Sequence, residues 1–365
     1  MKHYLDYNAT APLRPEVIAV MQECLGLPLN ASSIHAAGRK AKTLIEDSRR
    51  ALAGTLGAFA NEVVFTASGT EANNWVLRRL RMLPVCVSAI EHSSVLKTAQ
   101  AITVPDVIPV TKEGIIDLAA LEQLPEGEPF LLSLMLANNE TGIIQPVREA
   151  ADIVHARGGL LHCDAVQAFG KIPVDFTALG CDLMTISGHK MGGPVGAAAL
   201  IVKNGLAFAP MLTGGGQEMN RRAGTENVAA IAGFAKAAAL VDFASMKTLR
   251  GWLNALEAEV EKASGGTAVI FGGRAERLPN TSLIAMPGVS SETQLIHFDL
   301  DGIGVSAGSA CSSGRIEPSH VLEAMGVEEA LAGSALRISG GWATVEGDVR
   351  AAAKAWKAMA ATRAK

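Results

Sequence analysis

The chain lacks any Cys-x-x-Cys pair or regular cysteine spacing: its five cysteines are Cys24, Cys86, Cys163, Cys181 and Cys311. An odd, scattered set suggests neither a disulfide framework nor a zinc site, so no metal is expected. It also lacks a stretch of about 18 uninterrupted apolar residues, and Met1-Lys-His-Tyr-Leu-Asp has no apolar run behind its basic start. The expectation is a cytoplasmic protein with no membrane partner. Neither sign of charge dominates: 32 Lys and Arg against 36 Asp and Glu leave a net charge of -4, with the basic residues dispersed. No basic field for a phosphate backbone exists, which argues against nucleic acid as a partner. Repeats, low-complexity tracts and coiled-coil heptads are missing as well. What is abundant is apolar: 49% of 365 residues against 19% charged, ample for a buried core. That length exceeds one ordinary core and points to two domains with a site between them.

From Pro15 to about Lys203, helical and strand patterns alternate. Leu44, Ile45, Leu52 and Leu56 follow helical spacing within Arg39 to Gly57, and Glu62 to Thr66 reads as a short buried strand. Apolar runs recur at Val85 to Ala89, Phe130 to Leu136, Gly159 to Cys163, Leu183 to Ile186 and Ala197 to Val202. Helical segments between them predict an α/β fold with a mostly parallel sheet flanked by helices. A long helix-prone segment from Asn227 to Ala263 links this region to a smaller α+β part, which carries a glycine-, serine- and alanine-rich loop from Gly302 to Gly314. The Ala-rich C-terminal stretch reads as a surface helix. The expected division is 14–245 for the large domain, and 1–13 with 246–365 for the small one.

Ligands of such sheets sit outside the carboxyl ends of the strands. Five polar clusters fall there: Ser68-Gly-Thr-Glu, Glu91-His92, Asn138-Asn-Glu-Thr-Gly, Asp164, and Ser187-Gly-His-Lys190. Lys190 lies in a glycine-rich turn that suits a Schiff-base lysine, although a lone lysine in such a turn also suits the surface. Asp164 could keep a pyridine nitrogen protonated, or simply cap a helix. Ser68-Gly69-Thr70 offers N–H groups and a hydroxyl to an anion at a helix start, or plain capping by Ser68; it lacks the Gly-Lys-Ser/Thr ending of a nucleotide-hydrolysing loop. Cys163, beside Asp164, should face the opposite side of the sheet as a core residue. Cys311, in Ser306-Ala-Gly-Ser-Ala-Cys-Ser-Ser-Gly, has no bulky apolar neighbours to bury it, which favours a reactive thiol over a packed one. Arg337, inside the apolar run Ala335-Leu-Arg-Ile-Ser, needs a carboxylate, either a substrate's or an internal one.

Taken in order, these segments resemble the cysteine desulfurases of the iron-sulfur cluster and nitrogen-fixation type, within the class V aminotransferase group of fold-type I enzymes that use pyridoxal 5'-phosphate (PLP). The likeness runs through Tyr4-Leu-Asp-Tyr-Asn-Ala-Thr-Ala-Pro, Asn30-Ala-Ser-Ser-Ile-His, Thr70-Glu-Ala-Asn-Asn, His162-Cys-Asp-Ala-Val-Gln167, Gly214-Gly-Gly-Gln-Glu, Arg222-Ala-Gly-Thr-Glu-Asn and Ser309-Ala-Cys-Ser-Ser-Gly. The resemblance implies conversion of L-cysteine to L-alanine, with the sulfur passing to Cys311 as a persulfide and on to a soluble acceptor or cluster-scaffold protein. It implies that Lys190 carries PLP, Asp164 pairs with the ring nitrogen, Gln167 bonds the ring hydroxyl, and His92 stacks on the ring and assists proton transfer. Gly69, Thr70, Ser187 and His189 are the implied phosphate cradle. Thr225 is the implied contact to a neighbouring subunit's phosphate, hence a homodimer, and Asn138 and Arg337 are the implied substrate-carboxylate ligands. Gly340 stands where the family commonly has a bulkier residue, which implies a looser pocket wall. A selenocysteine lyase or an aminotransferase on the same scaffold is the enzymatic alternative, and a PLP-bound scaffold without turnover is a third.

Overall fold

The computed structural model describes residues 1–124, 126–308 and 318–363. Numbered along the chain, β1 is His3–Tyr4, and β2 Val63–Thr66, β3 Val85–Ser88, β4 Asp106–Ile108, β5 Leu131–Met135, β6 Leu160–Asp164, β7 Leu183–Ser187 and β8 Ala198–Val202 follow. β2 to β8 form one seven-stranded sheet in the order β2-β8-β7-β6-β5-β3-β4. Its strands are continuous apolar runs because both faces are covered. Ala199 and Ile201 of β8 enter one core, and Leu200 and Val202 enter the core on the opposite face. Cys163 is fully buried in the first of these cores.

β8 runs antiparallel to both neighbours, β2 and β7, while the other pairings in this sheet are parallel. The ends of β2, β3, β5, β6 and β7 therefore point the same way, and all five polar clusters lie beyond them. β4 was not anticipated from the pattern. It is a three-residue edge strand with Asp106 and Val107 exposed, so it carries no buried run.

β9 Val269–Phe271, β10 Thr281–Ala285, β11 Ile303–Gly304, β12 Ser306–Ala307 and β13 Ala335–Ser339 complete the set. A four-stranded antiparallel sheet, β12-β13-β10-β9, packs its own core of Leu253, Val260, Phe298, Leu336 and Trp356. The start of the expected loop at Gly302 is thus ordered into β11 and β12. Cys311 lies outside the described residues.

Two helix expectations need correction. The segment 227–263 is not one helix but two, Val228–Ala239 and Phe243–Ala263, bent by 71°. Asp242 restarts the second by accepting from the Ala244 N–H at 3.0 Å. The C-terminal helix Glu346–Arg363 is no mere surface element, because Val349, Ala352, Ala353 and Trp356 are buried against the 243–263 helix side of the small core. Among the described residues no single helix is long and apolar enough to cross a membrane.

The N-terminal segment ties the two sheets together. β1 pairs with β11, the Tyr7 N–H donates to the Ser339 carbonyl at the end of β13, and the Ala11 N–H donates to the His189 carbonyl beside Lys190. Residues 6–11 are thereby held across the ends of β7 and β13.

Candidate active site

A cavity of about 240 Å³ opens at the convergent strand ends. Gly69, Thr70, His92, Asp164, Gln167, Ser187, His189 and Lys190 all line it, so eight of the residues singled out in the sequence meet at one place. A larger cavity, about 470 Å³, lies between Ser291, Gly308, Ser319 and Gly333, away from this convergence. There Ser319 donates to Glu140 at 2.5 Å, and Gly308 leaves no room for a Cβ, which would stand 2.8 Å from the same Glu140 oxygen. Glu140 thus stands beside Gly308 and bonds the Ser319 side chain, on the two sides of 309–317.

At the end of β2, Ser68 caps the helix Gly69–Arg79, its Oγ accepting from the Glu71 N–H at 3.1 Å. The capping reading of Ser68 is realised, and the first N–H groups of the helix still point outward without intrahelical acceptors. A Cβ on Gly69 would stand 3.0 Å from Val166 Cγ2, so glycine lets this helix start approach the turn after β6. Glu71 braces the turn from outside, accepting from the Ala67 N–H at 2.9 Å and pairing with Arg222 at 2.8 Å.

Asp164 ends β6 with both oxygens engaged: Oδ2 accepts from Asn73 Nδ2 at 2.7 Å and Oδ1 from the Val166 N–H at 3.0 Å. Each carboxylate oxygen keeps a further acceptor direction. Asn73, unremarked in the sequence except as part of a motif, also donates to Ser94 at 2.9 Å. His92 caps the helix Ser93–Ile102 through Nδ1, which accepts from the Ser94 N–H at 3.1 Å. Because that N–H can only donate, the neutral ring carries its proton on Nε2. Burial, followed by the Lys190 and His320 charges against the opposing Asp164, lowers the His92 pKa. Glu91 lies beneath the site: its Oε1 accepts from the Met135 N–H at 2.6 Å, and burial with Asp164 nearby pushes its pKa well above the carboxylate range.

Lys190 stands in the short 3-10 turn after β7, its Nζ donating to the carbonyls of Asn8 and Ala9 at 2.7 Å each. Burial and then the Arg337 charge bring its pKa down from 10.5 to about 8, against the opposing pull of Asp6 and Asp164. The surface-lysine alternative does not describe this amine. Beside it, His189 has Nδ1 3.3 Å from Thr10 Oγ1, and burial together with Lys190 and Lys171 lowers its pKa to about 4. Gln167 donates from Nε2 to the Asn8 carbonyl at 3.0 Å and accepts at Oε1 from Lys171 at 2.6 Å.

Asn138 and Arg337 do not sit as expected. Asn138 does not line the cleft. Its oxygen accepts from the Glu140 and Thr141 N–H groups, its amide donates to the Ile90 carbonyl, and it is fully buried within its own turn. The neighbouring Asn139 lines the cavity instead. Arg337 is buried on β13 and pairs internally, with Asp6 at 2.8 Å and the Asn139 carbonyl at 2.8 Å, while its Nε has no partner among the described residues. Thr225 is exposed and does not line this cavity. As for Gly340, the wall there is not loose: a Cβ would stand 2.9 Å from Leu249 Cδ1, so that leucine already fills the space.

The donor set fits PLP. A phosphate finds a helix N-terminus, the Ser187 hydroxyl and an imidazole; an aldehyde finds an amine of lowered pKa; a protonated ring nitrogen finds a buried, pre-oriented carboxylate.

The family model for class-V aminotransferases matches residues 3–351. The cysteine desulfurase IscS of Dictyoglomus turgidum is 39% identical over 363 residues, spanning 95% of this chain and 91% of that protein. The solved structure of a NifS-like protein from Rickettsia africae is 38% identical, with a TM-score of 0.91 over 98% of this chain and 99% of that one. A structure described as SspA in complex with cysteine shares 28% identity and a TM-score of 0.82, covering 94% of this chain and all of that one. With matches of this extent in sequence and in structure, the chain belongs to the class V aminotransferase family, among its PLP-dependent cysteine desulfurases.

Proposed function

We propose that this cleft removes sulfur from L-cysteine, with Lys190 holding the cofactor and Cys311 receiving the sulfur. One observation carries the reading: a partly buried amine with its pKa lowered to about 8 shares a small cavity with the Asp164 carboxylate and the start of the helix Gly69–Arg79. Bound PLP supplies an electron sink for the carbon next to the substrate's carboxylate.

The chain's own residues do the rest. Gly69, Thr70, Ser187 and His189 hold the phosphate, and Asp164, fixed by Asn73 and Val166, holds the ring nitrogen as its charged partner. Gln167 donates to the ring hydroxyl. Lys190 Nζ, poised near neutrality, takes and returns the proton of the substrate's α carbon, and His92 presents its Nε2 proton to the same cleft. The substrate carboxylate competes with Asp6 for Arg337, whose Nε has no partner among the described residues, and Asn139 lines the cleft where Asn138 does not. In the net reaction the carbon–sulfur bond breaks, its electron pair stays on carbon and is protonated to give alanine. The sulfur atom bonds to the Cys311 thiolate as a persulfide, so L-cysteine plus thiol becomes L-alanine plus persulfide.

We further propose a cytoplasmic homodimer in which Thr225 reaches the partner's phosphate, a division into 14–245 and 1–13 with 246–365, and a soluble acceptor or cluster scaffold that takes the persulfide sulfur. Lys190→Ala tests the central assignment: loss of both the yellow colour and alanine release is expected, and retained colour with retained turnover would remove Lys190 from its role.

A further inference from the structure

Lys171 is 4% exposed, on the turn that follows Gln167, and its two hydrogen-bond acceptors are amide oxygens. Its Nζ donates to Gln167 Oε1 at 2.6 Å and to Asn8 Oδ1 at 2.8 Å. Neither partner is a carboxylate, so among the described residues no ion pair explains this burial, and a lysine without one belongs to the rarest of buried groups.

The two bonds remove an ambiguity elsewhere. A glutamine amide has nearly interchangeable ends, one accepting and one donating, and its neighbours decide which way it turns. An amine aimed at Gln167 fixes Oε1 on its side. The Asn8 carbonyl, which can only accept, fixes Nε2 on the other at 3.0 Å. The second N–H of Nε2 remains, and Gln167 lines the cleft. That same Asn8 carbonyl also accepts from Lys190 at 2.7 Å. Asn8 is itself pinned, its Oδ1 accepting from Asn280 at 3.0 Å and its Nδ2 donating to Thr281 at 2.9 Å and to the Asn139 carbonyl at 3.1 Å. A rigid amide chain therefore runs from Lys171 through Gln167 and Asn8 to the amine of Lys190.

We propose that Lys171 is a positioning residue that locks the Gln167 amide so that an N–H, and not a carbonyl oxygen, faces the ring oxygen of the cofactor. The inference rests on the function proposed above. Both bonds of the Lys171 amine are donated to amide oxygens. Burial, Lys190 and Arg337 all push the Lys171 pKa well down. The charged groups around Lys171 and the cleft are Lys190, Arg337, Asp6 and Asp164.

The test is a pH titration of the visible band of the holoenzyme, with PLP affinity measured alongside, for Lys171→Met, Gln167→Met and the double variant. A donor to the ring oxygen disfavours protonation of the conjugated nitrogen, so losing it moves the midpoint of the band upward. Lys171→Met and Gln167→Met should both move it so, each weakening PLP binding by on the order of tenfold, the worth of one such hydrogen bond. The double variant should match Gln167→Met alone, because Lys171 acts through Gln167. A Lys171→Met enzyme with unchanged midpoint and affinity, or effects that add in the double variant, would overturn the proposal. If Lys171→Met does not fold, the side-chain amide protons of Gln167 in the unsubstituted protein, assigned by their loss in Gln167→Met, decide. Slow hydrogen exchange supports the locked amide and rapid exchange overturns it. Absence of any Lys190-dependent visible band in the unsubstituted protein would instead overturn the functional reading itself, and this inference with it.

Discussion

Acetylating the apoprotein with limiting reagent across a range of pH, and reading each lysine by peptide mass, titrates Lys190 without any cofactor. Burial and Arg337 hold its pKa at about 8 against 10.5. Near pH 7.5 roughly a quarter of Lys190 is then free amine, against roughly one in a thousand of an ordinary lysine, a difference of about two hundredfold in available nucleophile. The same shift is a stability statement of about 3 kcal/mol, an order-of-magnitude figure. Since the folded pKa lies below the unfolded one, protonating Lys190 costs the fold this amount at pH below about 8. The cost is relieved as pH rises from about 8 to about 10.5. Arg337→Met removes the opposing cation and moves the Lys190 midpoint up, and Asp6→Asn removes an anion and moves it down. A labelling midpoint near that of the surface lysines, indifferent to both substitutions, would refute the argument that this pocket makes the amine reactive.

Two further substitutions follow from the geometry. Asn73→Ala removes the 2.7 Å donor to Asp164, and PLP affinity should fall about tenfold, with about 1–3 kcal/mol lost in denaturant unfolding; unchanged PLP affinity in a calorimetric titration would show that Asp164 needs no such brace. Glu218 accepts from both Arg49 guanidinium nitrogens, at 2.8 and 2.9 Å, and from the Phe65 N–H at 2.7 Å, while it begins three successive residues in the left-handed region. Glu218→Ala takes away the buried carboxylate that Arg49 pairs with and leaves it the half-exposed Glu46 at 3.3 Å and the Val63 carbonyl, so urea unfolding should show a loss of about 3–5 kcal/mol; a loss below about 1 kcal/mol would mean the pair holds nothing in place.

Much of this was legible in the sequence because strands buried on both faces are written as unbroken apolar runs and their polar ends as short clusters. Direction is not written there, which is why β8 reads like the parallel strands of the same sheet. The break before Phe243 is hidden by helical patterning on both sides, with Asp242 the only local sign. Asn8, Asn73 and Lys171 escaped as site residues because each has a partner far away in sequence: Asp164 stands 91 positions from Asn73, and Asn8 and Lys171 stand 163 apart. In the pair Asn138-Asn139 the spacing identifies the turn, but only its folded geometry decides that the first amide closes the turn and the second faces the cleft. Arg337 was read as needing a carboxylate; which one, Asp6 or a substrate's, depends on an N-terminal segment folded back over β13.

The most direct test of the central claim is a single-turnover reaction of the PLP-loaded protein with L-cysteine in the absence of reductant, quantifying alanine and mapping added sulfur by peptide mass. The account predicts one alanine per active site and one extra sulfur on the peptide containing Cys311, both lost in Cys311→Ala while the yellow colour stays. Alanine formed at the same rate by Cys311→Ala, or a yellow protein that yields none from L-cysteine, would contradict it.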